Sequence, residues 1–323
     1  MACRRMAIAI LLLLLVACSQ SSRPLQVTAL YPQDGYHGFK KDEAIVIEFN
    51  RPVDPASFAD AYRSNSEGLK PDQVTVTWSD GDTKVTVKPK QPLAYSPDDN
   101  YIYYSFEVGT ELVDRNGDHL AEPLRVSFST LRTLTAAVKS AEKRDGIVLR
   151  TENNGNVQLA AFPGSTAIVV GDGNNDESSL GFVGFPWPQD LVELQTAGLR
   201  LYSPAKNGDP FANLGKLLFE AIDMGDGVSE SDAVSAALPA APVWEDGSHW
   251  TTGSFIRYDV TDLAQAARNE GLGWFDLRLR FESATNGDSA ADAVMLYTQE
   301  SISTGRINDP ELLPTLELTY YGP

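Results

Sequence analysis

Cysteine is almost missing from this chain: 323 residues hold two, Cys3 and Cys18. A disulfide framework and a zinc site built on thiolates are thereby excluded. Histidine is nearly as scarce. His37, His119 and His249 are the only three, and no two stand at metal-ligand spacing. Basic side chains are outnumbered, 26 against 44 acidic, for a net charge of −18 and a pI near 4.5. Such a surface does not neutralise phosphates, so no nucleic-acid partner is expected. Long apolar runs are lacking too, apart from residues 6–17. That run is shorter than the roughly 20 residues a membrane-spanning helix requires. What the chain does have is turn formers, 25 Gly and 19 Pro, within an ordinary globular composition of 42% hydrophobic and 22% charged residues. This balance suits an all-β protein.

The apolar run has a basic start at Arg4 and Arg5 and the proportions of a secretory signal peptide. Its end, Leu15-Val16-Ala17-Cys18, resembles the lipobox of bacterial lipoproteins. The resemblance implies cleavage after residue 17, acylation at Cys18 and a membrane partner reached through that lipid. Residues 18–26 then form a short polar tether. Ser19 follows the cysteine, and by the enteric sorting rule a residue other than Asp there implies the outer membrane. The mature chain loses Arg4 and Arg5, leaving 24 basic against 44 acidic side chains, a net −20.

From residue 27 to 132 short alternating runs are separated by turn signals. Ile45, Ile47 and Phe49 share one strand face, and Val74, Val76 and Trp78 another. Ser79-Asp80-Gly81-Asp82 is a tight turn into Val85-Thr86-Val87, a hairpin signal. About seven strands in a hundred residues predict an Ig-like sandwich. The order Tyr31-Pro32-Gln33-Asp34-Gly35, Asn50-Arg51-Pro52-Val53-Asp54, Val113-Asp114-Arg115-Asn116-Gly117 and Val126-Ser127-Phe128-Ser129-Thr130 resembles bacterial Ig-like domains of the S-layer type. The resemblance implies a spacer or stalk. The Asp-rich turns 80–82 and 114–118 read as solvated hairpin turns.

Residues 133–144 show little β alternation and are expected to hold the domain junction. Beyond them about ten strands predict two packed antiparallel sheets closed as a jelly roll. One short helix is expected, with Thr261 as its cap, Asp262 in its first turn, Arg268 in its last and Gly271 at its end. Asp145-Gly146-Ile147-Val148, Leu180-Gly181-Phe182-Val183-Gly184-Phe185, Tyr258-Asp259-Val260-Thr261-Asp262-Leu263 and Pro314-Thr315-Leu316-Glu317-Leu318 together resemble the DNRLRE family of jelly rolls, similar to carbohydrate-binding modules. That likeness implies surface display and glycan binding rather than a reaction.

Sugar recognition needs an aromatic platform and planar polar partners. Trp187 stands between Pro186 and Pro188, and Trp244, His249 and Trp250 flank an acidic turn. Arg280, Tyr297 and Arg306 are candidate additions to the same face, whereas Trp78 and Trp274 read as core. Within Gly171-Asp172-Gly173-Asn174-Asn175-Asp176-Glu177, alternating Asp172, Asn174 and Asp176 are candidate ligands of a structural calcium, and Asp223, Asp226 and Asp288 offer further oxygens. An Asn/Gly turn is the competing reading. No nucleophile-elbow string accompanies His249, so no catalytic residue is assigned.

The fold class read from the sequence is all-β: an N-terminal Ig-like β-sandwich (27–132) and a C-terminal jelly-roll β-sandwich with one short helix (133–323), behind a signal peptide (1–17) and lipidated tether (18–26). Three functions compete: a polysaccharide-binding module, a structural or adhesive envelope protein, and a polysaccharide-degrading enzyme.

Overall fold

A computed structural model describes residues 24–153 and 156–323. The expected signal peptide, Cys18 and most of the tether lie outside the described residues. The first strands are β1 (Val27–Tyr31), β2 (His37–Phe39) and β3 (Ile45–Phe49). Helix α1 (Pro55–Ala61) follows, then β4 (Tyr62–Arg63), β5 (Val74–Ser79), β6 (Lys84–Pro89), β7 (Tyr103–Val108) and β8 (Leu124–Thr130). They form two four-stranded sheets ordered β1-β3-β6-β5 and β2-β8-β7-β4. The alternation read from β3 holds: Ile45, Ile47 and Phe49 are buried, as are Val85 and Val87 on β6. Asp80, Gly81 and Asp82 all take positive φ in the β5–β6 turn, which is why short polar residues and Gly occupy it.

Trp78 is half-buried against Phe49 and Phe58, in keeping with a core role. The turn at 114–118 is not simply solvated. Asp114 is buried, accepts the amides of Asn116 and Asp118, and pairs with Arg51 at 2.9 Å. A buried carboxylate there caps the turn's backbone donors.

The later strands are β9 (Arg132–Lys139), β10 (Gly146–Asn153), β11 (Asn156–Pro163), β12 (Ile168–Asp172), β13 (Ser178–Pro186) and β14 (Glu193–Tyr202). Then come β15 (Ala205–Asn207), helix α2 (Pro210–Asn213), β16 (Leu217–Ile222), β17 (Val243–Glu245) and β18 (Phe255–Asp259). The last elements are α3 (Thr261–Asn269), β19 (Trp274–Phe281), β20 (Ala293–Leu296), α4 (Gln299–Ser303) and β21 (Thr315–Gly322). The large sheet runs β15-β20-β12-β13-β19-β16-β17, with β10 pairing both β13 and β11; the small sheet runs β18-β14-β21-β9. Between them lies an apolar core including Phe185, Phe219, Phe275, Leu199, Leu277 and Leu316. Each fully buried Phe or Leu contributes about 2–3 kcal/mol. A smaller cluster of Val148, Phe182, Ile222, Met224 and Val228 packs elsewhere in this half.

The chain groups into two compact units. One holds the described residues up to 36 with 42–92 and 104–128; the other holds 37–41, 93–103 and 129–323.

Three expectations need correction. Residues 132–139 form β9, paired along its length with β21. Leu134, Ala136 and Val138 pack on the core, but Ala and Thr make the alternation shallow. The single short helix is joined by α1, α2 and α4. Helix α3 itself stands where expected, with Asp262 in its first turn, Arg268 in its last, and Gly271 at φ +72 just beyond. Thr261 does not cap it. The hydroxyl of Thr261 accepts the amide of Ala197 on β14, and Asp259 Oδ1 accepts the Thr261 amide instead. The threonine ties helix to sheet rather than closing the helix end.

Candidate functional site

Alternation on the small sheet sends Leu199 and Leu201 of β14 and Ile256 and Tyr258 of β18 into the core. Their neighbours Gly198, Arg200 and Tyr202, and Phe255, Arg257 and Asp259, then line the opposite face. Tyr202 and Phe255 are register partners, with ring centroids 5.2 Å apart. Tyr297, one residue past β20, lies 6.1 Å from Tyr202 with its ring only 9° from parallel. Phe255 is 41% exposed, and both tyrosines are half-buried. Three aromatic rings thus form one strip.

Guanidinium groups border the strip at both ends. Arg200 lies 4.9 Å over Phe255, and Arg306 lies 6.0 Å over Tyr297. Arg200 is held by Glu311 at 2.7 Å and Glu317 at 3.2 Å. The exposed Arg306 makes no ion pair among the described residues; its contacts are Thr166 O at 3.4 Å and Met295 Sδ at 3.5 Å. In an acidic chain this is a cation with donors to spare. Further along the same sheet face an open groove of about 620 Å³ is lined by Ala137, Gly198, Arg257, Asp259, Glu317 and Thr319, among others. Sequence reasoning singled out Tyr297 and Arg306. It missed Tyr202 and Phe255, whose signal was the alternation of β14 and β18 that leaves large rings at outward positions.

The tryptophans do not make one face. Trp187 follows Pro186, the partner of Trp274 at one end of β19. Trp244 opposes Leu218, which opposes Arg280 near the other end. Six residues of strand separate Trp274 from Arg280, roughly 20 Å. Trp187 is half-buried, stacks 5.7 Å from Phe275 and donates its indole N–H to Leu272 O at 3.0 Å. Trp250 is a core residue whose Nε1 donates to Ser203 Oγ at 2.9 Å. Only Trp244 is exposed, at 50%, and Lys216 Nζ covers its ring at 3.9 Å. Trp274 is half-buried beneath the Arg144 guanidinium.

Arg280 shares a row with Trp244, but its donors are engaged: Nε and Nη2 bond Glu220 at 3.0 and 2.7 Å. It borders a recess of about 560 Å³ whose lining includes Val157, Leu159, Leu180, Val234 and Arg150. Glu220 also binds Arg278 at 2.8 Å. These two guanidinium groups outweigh the burial that opposes ionisation, so the Glu220 carboxyl lies below its ordinary range.

The histidines stand apart. His37 Nδ1 meets Ser129 Oγ at 2.7 Å, but Ser129 is fully buried and presents no nucleophile. His119 Nδ1 meets Thr110 O at 2.7 Å. At the 245–249 turn both Ser248 Oγ (3.1 Å) and Glu245 Oε2 (3.4 Å) approach His249 Nδ1. A proton relay needs nucleophile and orienting carboxylate on different ring nitrogens. Glu245 instead organises the turn, accepting the amides of Gly247 and His249 and the Tyr258 hydroxyl.

In the acidic loop, Asp172 accepts the amides of Asp292 and Asn286, at 3.0 and 3.3 Å. Asp176 accepts the Ser289 amide at 2.9 Å and its hydroxyl at 3.1 Å. Asn174 is an exposed turn residue. Asp288 accepts from Asn286 and Ala290, and Asp223 from Gly225. Asp172 and Asp176 thus join two loops through protein donors, whereas Asp288 and Asp223 bond within their own turns. Among the described residues no three His, Cys, Asp or Glu side chains converge as a metal cluster.

Residues 21–130 match the bacterial Ig-like domain family. No curated protein matches this chain. Among solved structures, the chain is similar to surface layer protein SbsC, domains 1–6, at 11% identity and a TM-score of 0.24, covering 75% of this chain and 41% of that one. The S-layer protein rSbsC(31-844) is similar at 10% identity and a TM-score of 0.24, covering 74% and 32%. This chain spans less than half the length of either. The protein is all-β, with few short helices and an Ig-like domain in its N-terminal part.

Proposed function

We propose that this chain is a lipid-anchored cell-envelope protein. In this reading the Ig-like domain is a spacer, and the C-terminal sandwich, a jelly roll in type, presents the Phe255–Tyr202–Tyr297 strip to a polysaccharide. The strip carries the reading. Sugar rings offer an apolar face to stack and a rim of hydroxyls to bond, and here three aromatic rings sit beside the guanidinium groups of Arg200 and Arg306. The net charge opposes polyanions, so neutral glycans are favoured over highly sulfated ones. The bacterial Ig-like match over 21–130 also supports a structural role at the cell surface.

A glycan array probed with the full chain tests the binding face. Tyr202→Ala and Tyr297→Ala are each expected to weaken binding about tenfold, the loss of about 1.4 kcal/mol of stacking. Trp244→Ala should bind like wild type. Absence of any glycan ligand, or wild-type affinity in both tyrosine variants, rejects the assignment.

The anchor is tested separately by fractionation. Cys18→Ser is expected to move the protein from the membrane pellet to the soluble fraction or leave it unprocessed. A variant that is processed and pelleted normally would contradict lipidation at Cys18.

A further inference from the structure

One pair of carboxylates in the C-terminal half is buried without the hydrogen bonds that account for the others. Asp145, just before β10, is fully buried. Its Oδ2 accepts from Ser140 Oγ at 2.7 Å and from the Gln299 amide at 3.2 Å, while its Oδ1 has no partner. Glu300, next in sequence to Gln299, is nine-tenths buried, and neither of its carboxylate oxygens has a partner. The two residues share a neighbour, Gly164, which meets the backbone of one and the side chain of the other. Gly164 donates its amide to the Asp145 carbonyl at 2.8 Å, and a Cβ on Gly164 would stand 2.9 Å from Glu300 Oε1. Three carboxylate oxygens without partners thus belong to two residues linked through the Gln299 amide and through Gly164.

We propose that Asp145 and Glu300 hold a hard divalent cation of the calcium class. Burying two ionised carboxylates, Asp145 with one oxygen unmatched and Glu300 with both, costs several kcal/mol each. One dication offsets both charges, and an all-oxygen donor set suits calcium rather than zinc or copper. Glu300 also lines a recess of about 570 Å³ with Glu142, Lys143, Gly164, Asp226 and Ser229. Asp145 does not line that recess, which reaches the pair from the Glu300 side and has room for waters to complete the coordination shell. Two of its other charged groups, Glu142 and Asp226, add negative potential, and Lys143 opposes it. The loop carrying Asp172 and Asp176 differs in kind, because its carboxylates are matched by amide and hydroxyl donors.

The test is thermal unfolding of the full chain in chelator and in millimolar calcium. Calcium is expected to raise the wild-type Tm by about 5 °C or more, the effect of a ligand well above its Kd. Glu300→Gln and Asp145→Asn should abolish the shift, and Asp172→Asn should retain it. An unchanged wild-type Tm overturns the proposal. So does a shift that survives in both carboxamide variants, or one lost only in Asp172→Asn. If the variants do not fold, calorimetric titration of the wild-type chain decides. One ion per chain, bound more weakly as pH falls because the ligands must be deprotonated, supports the site. No binding, or binding indifferent to pH, rejects it.

Discussion

Arg144→Ala is expected to destabilise the protein by about 3–5 kcal/mol, the usual cost of leaving one member of a buried ion pair alone. Arg144 Nη1 bonds both Asp276 oxygens, at 2.9 and 2.7 Å, its Nη2 donates to the Gly225 carbonyl, and the guanidinium covers Trp274 at 4.3 Å. Asp276 is buried on β19, and burial raises its pKa more than Arg144 lowers it. With the arginine gone, the carboxyl must protonate or be desolvated unpaired. The loss should shrink as pH falls toward the carboxylate range. Arg144→Met combined with Asp276→Leu should recover much of it, since a buried pair replaced by apolar groups of similar volume is often neutral. Chemical denaturation of the two variants beside wild type measures this. A loss below about 1 kcal/mol for Arg144→Ala would show that the pair is not structural. Gly184 belongs to the same arrangement, because a Cβ there would stand 2.8 Å from Arg144 Cβ.

In the presence of chelator, stability should fall as pH rises toward and through 8, and Asp145→Asn should remove most of that slope. Burial is the main cause that pushes the Asp145 carboxyl up to about 8, against hydrogen bonds from Ser140 and Gln299 that pull it down. The folded state therefore prefers the protonated form. Its contribution is complete below pH ~4, where the unfolded carboxyl is also protonated, and is lost as pH rises through the folded value. The integrated loss has an upper bound of about 6 kcal/mol. Denaturant midpoints between pH 5 and 9 check the sign. Stability that rises over this range in wild type, or an unchanged slope in Asp145→Asn, would contradict it.

Much of the fold was legible because it is local. Ile45, Ile47 and Phe49, the 79–82 turn and the charge placement on α3 follow from neighbours in sequence. What was not legible was weak in local signal. β9 was hidden by its alanines and threonines, while β11 shows little burial along its length and β15 and β17 have only three residues each. The candidate site was half legible. Tyr297 and Arg306 join the strip, but Tyr202 and Phe255 come from two other strands, and Trp244 and Trp250, six residues apart, have opposite fates.

The sequence by itself determined the all-β class, the Ig-like segment, the acidic balance and the exclusion of a disulfide framework and a thiolate zinc site, because period-two alternation, turn residues and composition need no knowledge of distant neighbours. Only the tertiary structure decided which aromatic rings form an outward strip and which are core, that Arg144 meets Asp276 across 132 residues, and that Asp145 meets the Gln299–Glu300 segment with carboxylate oxygens left unmatched. Burial and pairing are set by which strands become neighbours. An indole or a carboxylate reads the same in the chain whether water or a sheet covers it.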